Sequence, residues 1–90
     1  MAILVLFEAA GVTQAKYDQV TQEVLPGNKP TAGLLYHVAA PTADGFRVVE
    51  VWESEASMDK FFQASLRQAL QKASINVQPQ IAPVHNIIKP

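Results

Sequence analysis

The sequence predicts an α+β fold in which strands and helices follow one another as β-α-β-β-α-β. Three observations carry that expectation. The chain opens on an unbroken apolar run, Ala2 to Glu8. Two Val- and Ala-rich segments flank a turn at Pro41–Gly45. Two further stretches repeat apolar residues every three or four positions behind a hydroxyl cap. Ninety residues leave room for one domain, spanning residues 1–90.

Each element has its own local reason. The opening run is rich in Ile, Val and Leu, ends at Phe7-Glu8 and scarcely alternates. It therefore reads as a strand with both faces apolar. Thr13 is the expected N-cap of a first helix reaching about Leu25, with Tyr17, Val20 and Val24 on its inner stripe. Lys16, Gln19, Gln22 and Glu23 form its outer side. Pro26-Gly27 ends it. Gly33 to Ala40 and Phe46 to Glu53 are expected to pair as an antiparallel hairpin, with Asp44-Gly45 supplying positive-φ turn positions. Ser54 caps the second helix. Met58, Phe61, Phe62, Ser65, Leu66, Ala69 and Ala73 make its broad inner stripe. Ile81, Val84, Ile87 and Ile88 are expected in a last strand. Pro79 and Pro83 lack the ladder donor and so confine it to an edge. This order is the split βαβ, ferredoxin-like pattern: a four-stranded antiparallel sheet with two helices on one face.

Composition narrows function. Hydrophobic residues make up 49% and charged residues 17%, enough for a packed core. A net charge of −1 removes the electrostatic case for nucleic acid. There is no cysteine, so thiolate metal sites, Fe–S clusters and thiol nucleophiles are excluded. The two histidines are far apart and no metal site or Gly-rich phosphate loop is expected. The apolar start lacks a basic flank and is too short for a membrane helix, so a soluble, cytoplasmic protein without a membrane partner is expected.

Two short helices cover one sheet face only. Strands one and two are apolar at nearly every position, so the other face needs a cover as well. A second copy of the same sheet supplies it, and a homodimer packed through the sheet face is expected.

Glu50 breaks the local rule of its strand, VVEVWE, where an unpaired charge is costly. It is a candidate general base or ligand-orienting group. The structural alternative is a partner to a neighbouring polar group. His37 lies on the paired strand. With Pro41 opposite Phe46, His37 faces Glu50 and Leu35 faces Trp52; a slip of one residue puts Tyr36 there instead. The two registers remain open at this level. His37 and Glu50 are the candidate catalytic pair, and Tyr36, Trp52, Phe62 and His85 the candidate ligand-binding residues. Trp52 qualifies because a buried indole N–H wants a partner. His85, near the C-terminus, would complete a site across a dimer interface; its alternative is a polar edge residue that discourages aggregation. Tyr17 is a further phenol donor.

The segment GLLYHVAAPTADGFRVVEVWESEASMDKFF, with the terminal PVHNI, resembles the dimeric α+β barrel superfamily and is most similar to small proteins related to the antibiotic biosynthesis monooxygenases. The resemblance implies a ferredoxin-like fold, a two-fold dimer and a pocket between sheet and helices near Trp52, Phe61 and Phe62. It implies no cofactor: a cofactor-independent monooxygenase or isomerase acting on a small, largely apolar organic molecule. Members of the superfamily differ in activity, so a non-catalytic small-ligand-binding or dimerisation protein is the alternative. Helix two carries no histidine, which argues against haem degradation.

Overall fold

The computed structural model describes residues 1–90. The strands are β1 (Ile3–Ala10), β2 (Leu34–Thr42), β3 (Gly45–Trp52) and β4 (Gln80–Pro83). The helices are α1 (Gln14–Val24), α2 (Glu55–Phe61) and α3 (Arg67–Lys72), with a short 3₁₀ turn at Pro26–Asn28. The strands form one antiparallel sheet in the order β2-β3-β1-β4, the arrangement of the ferredoxin-like fold, with β3 and β1 central.

The caps act as the sequence implies. Thr13 Oγ1 accepts from the Lys16 N–H at 3.2 Å and starts α1. Ser54 Oγ accepts from the Ser57 N–H at 3.1 Å and starts α2, with Glu55 in its first turn.

Three local readings are corrected. The hairpin turn contains no positive φ, because those conformations fall instead at Gly11, Gly27, Asn28, Gly33 and Ser74. Gly45 is needed for closeness rather than for torsion: a Cβ there would collide with the Ala9 carbonyl oxygen of β1. The last strand is only four residues and ends at Pro83, with the Val84 N–H closing onto Ala2 O at 2.9 Å. Ile87 and Ile88 lie beyond it, both exposed. The second helix is not one continuous α-helix. A π turn, Phe62–Leu66, separates α2 from α3.

The π turn has a packing reason. The buried residues of this arm are Met58, Phe61, Leu66, Ala69 and Ala73, whose spacing is 3, 5, 3 and 4. An uninterrupted α-helix would carry Ser65 inward behind Phe61. One extra residue in the turn brings Leu66 into line instead. Ser65 stays half-buried and returns its hydroxyl to Phe61 O at 3.3 Å.

The core lies between the helices and one sheet face. Val5 and Trp52 are wholly buried in it, with Ile3, Phe7, Val20, Met58 and Phe61 around them. The opposite face is apolar but uncovered in a single chain: Val38 is 62% exposed, Leu4 40% and Tyr36 39%. β1 thus alternates buried and open positions in the isolated chain, although its side chains are apolar on both faces.

Candidate functional site

Strand parity builds the site. Phe46, Val48, Glu50 and Trp52 alternate along β3 and point toward the helices, and Glu50 is the one polar residue among them. It pairs with Val5 of β1 on one side and His37 of β2 on the other. The register places Pro41 opposite Phe46 and His37 opposite Glu50, the first of the two alternatives. Leu34, rather than Leu35, then faces Trp52, because a bulge between Leu34 and Tyr36 absorbs one residue.

Glu50 is only 4% exposed, and both its oxygens are used. The Trp52 indole N–H donates to Oε1 at 2.9 Å. Oε2 lies 2.7 Å from His37 Nδ1. His37 Nε2 in turn lies 2.6 Å from the Tyr17 hydroxyl, which α1 presents from its inner stripe. A carboxylate only accepts, so Nδ1 carries a proton. When the ring is neutral, Nε2 accepts and Tyr17 donates to it. Four side chains from α1, β2 and β3 thus form one line: Tyr17, His37, Glu50, Trp52. No buried side-chain polar atom is left without a partner. Tyr17 is fixed by a parallel stack on Phe46, with ring centroids 5.1 Å apart and planes 6° apart.

The line borders a cavity of about 80 Å³ between sheet and helices, walled almost wholly by apolar side chains such as Phe7, Val20, Phe61, Leu66 and Leu70. Tyr17, His37 and Glu50 are among its polar members. Outside it lies an open cleft of about 590 Å³ between α1, the loop after it and β2, bordered by Gln14, Asp18, Asn28 and Lys29. Tyr17, Thr21, Leu25, His37 and Phe46 line both spaces and stand between them.

The candidate residues part company here. His37, Glu50 and Trp52 come together. Trp52 lies in the core, tilted against Phe61 at 5.4 Å, and reaches the site through Glu50 rather than as a cavity wall. Tyr36 pairs with Val51, faces away from His37 and borders the outer cleft. Phe62 is half-buried in the π turn and packs on the core without lining the cavity. His85 is exposed beyond β4. Tyr17, a member of the line, is the residue that periodicity alone reads as a core position. Its signal is a phenol on an otherwise apolar stripe. No group of three or more His, Cys, Asp or Glu residues is placed to hold a metal ion, and no helix is long and apolar enough to cross a membrane.

No family model and no curated protein sequence matches the chain. Solved structures match it over nearly its whole length. A conserved protein from Methanosarcina mazei is 14% identical, with 92% of each chain covered and a TM-score of 0.69. A mutant form of SnoaB, a cofactor-independent oxygenase from Streptomyces nogalater, is 7% identical, with 99% of this chain and 97% of that one covered and a TM-score of 0.69. A presumed antibiotic biosynthesis monooxygenase from Chloroflexus aurantiacus is 18% identical, with 97% of each covered and a TM-score of 0.65. The chain has the fold of these proteins, one of which is a cofactor-independent oxygenase and another a presumed antibiotic biosynthesis monooxygenase.

Proposed function

We propose that the protein binds a small, largely apolar organic molecule between its sheet and helices and acts on it without a cofactor, as a monooxygenase or isomerase. One observation carries this reading: a buried glutamate, hydrogen-bonded to a histidine, borders an otherwise apolar cavity. Apolar walls supply binding, and a few convergent polar groups supply chemistry. A His–Glu pair can take a proton from a bound acid, because the carboxylate stabilises the imidazolium that forms. The resulting anion either regains its proton at another atom or meets dioxygen. The fold shared with SnoaB supports the second course without deciding between them.

The working form we propose is a homodimer joined through the open sheet face. The exposed Val38, Leu4 and Tyr36 support it. The activity is tested by following oxygen uptake and product mass over a panel of small aromatic alcohols and ketones. His37→Ala and Glu50→Gln are run beside the wild type. Turnover that falls at least about 100-fold in both variants is the expected result for a general base. Binding that survives Glu50→Gln, with no turnover in any form, would instead make the protein a carrier.

A further inference from the structure

We infer that Tyr17, rather than His37, is the residue that meets the bound molecule and exchanges a proton with it; the inference rests on the pocket proposed above. Both nitrogens of His37 are already engaged, Nδ1 by Glu50 and Nε2 by Tyr17. Neither ring nitrogen is free to reach an occupant. The Tyr17 hydroxyl spends its one O–H on Nε2 and keeps lone pairs that can accept. It also lines both the inner cavity and the outer cleft, and its ring is held between them by Phe46.

The placement also describes the occupant. The inner cavity, about 80 Å³, is smaller than the roughly 150 Å³ that lodges a benzene ring in an engineered core. The inferred pose of an aromatic occupant therefore reaches past the residues that the two spaces share, with one apolar end inside and the rest in the cleft. That pose puts its acidic O–H or C–H beside Tyr17. The step is a proton relay. The occupant's bond to hydrogen breaks and its proton passes to Tyr17 Oη. The Tyr17 proton passes to His37 Nε2, and the bonding pair stays on the occupant. An occupant anion and an imidazolium result, the latter facing the Glu50 carboxylate. Reversal at a different atom of the occupant restores every group and needs no co-reactant. Glu50 and Trp52 are positioning residues in this scheme: they hold His37 in the tautomer that accepts from Tyr17.

The test is binding of phenol and of benzene, which differ by one hydroxyl, to wild type and Tyr17→Phe, read by NMR titration. The expected result is that Tyr17→Phe weakens phenol by about five- to tenfold more than it weakens benzene, the worth of one hydrogen bond. Equal losses for both probes would overturn the role of Tyr17 while leaving the pocket intact. Failure of both probes to bind wild type would overturn the pocket reading, and this inference with it. A second readout needs no variant. Phenol at saturation should shift the ¹⁵N resonance of His37 Nε2, and benzene should leave it in place. A benzene shift of equal size counts against the relay.

Discussion

Trp52 donates its indole N–H to Oε1 of Glu50, two residues earlier on the same face of β3, at 2.9 Å. Neighbours two apart on a strand share a face, so the bond needs no long-range closure. It gives the deepest aromatic side chain in the protein a role in fixing its most buried charged group. One strand thus carries both the carboxylate and the clamp that sets its orientation.

Trp52→Phe tests the clamp. The ring that replaces the indole is smaller and has no N–H, so a void opens and Oε1 loses its donor. The expected loss is about 2–4 kcal/mol of unfolding free energy, measured by urea denaturation with circular dichroism. A loss under about 0.5 kcal/mol would show that neither the packing nor the bond matters.

Glu50 gives a graded pair. In Glu50→Gln the amide oxygen still accepts from Trp52 while its NH₂ donates to His37 Nδ1. The imidazole then moves its proton to Nε2 and donates to Tyr17, so the two bonds of His37 reverse direction while the Trp52 bond keeps its own. Glu50→Leu has no such escape and leaves the Trp52 N–H and His37 Nδ1 without a partner. The expected costs are about 1–3 kcal/mol for Gln and about 3–5 kcal/mol for Leu. Long-range ¹H–¹⁵N correlation should show the His37 proton on Nδ1 in wild type and on Nε2 in Glu50→Gln. The same tautomer in both proteins would sink the assigned direction of the hydrogen bonds.

Much of this arrangement is legible in the sequence because its physics is local. Hydroxyl caps at Thr13 and Ser54, apolar stripes and strand length fix the element order without any long-range contact. Glu50 stands out as a charge inside VVEVWE for the same reason. Whether His37 faces it is not legible. That depends on a single residue of register, and the bulge at Leu35 shows how cheaply a strand absorbs one. Tyr17 is hidden as a site residue because helical spacing reports only that a residue points inward. A partner contributed by another element lies outside that signal. His85 lies beyond β4, which stops at Pro83, short of where an apolar count of the tail extends it.

The open sheet face makes its own prediction. Val38 is 62% exposed there, with Leu4 and Tyr36 also exposed on that face. Val38→Lys places an ammonium in the middle of the proposed dimer seam, and removing it from water without a partner is costly. A dimer in the wild type and a monomer in the variant are expected from size-exclusion chromatography with light scattering, with circular dichroism unchanged. A wild type that runs as a monomer, or a variant that remains a dimer, would place the cover of this face elsewhere.

The π turn allows a test by deletion, which seldom improves a helix. The buried positions Met58, Phe61, Leu66, Ala69 and Ala73 step by 3, 5, 3 and 4, and Gln63 and Ala64 within the turn are exposed. Removing Gln63 changes the steps to 3, 4, 3 and 4, the spacing of an ordinary amphipathic helix, and no buried side chain is lost. The shortened chain should therefore fold with a midpoint temperature equal to or above that of wild type. Phe61 and Leu66 wall the cavity, however, and the turn fixes their spacing at five residues. Benzene binding should fall at least about threefold even as stability holds, the pattern expected when a π turn serves a site rather than the fold. A deletion variant that unfolds would show that α3 depends on the π turn for its seat. One that binds benzene as well as wild type would show that the turn has no part in shaping the cavity.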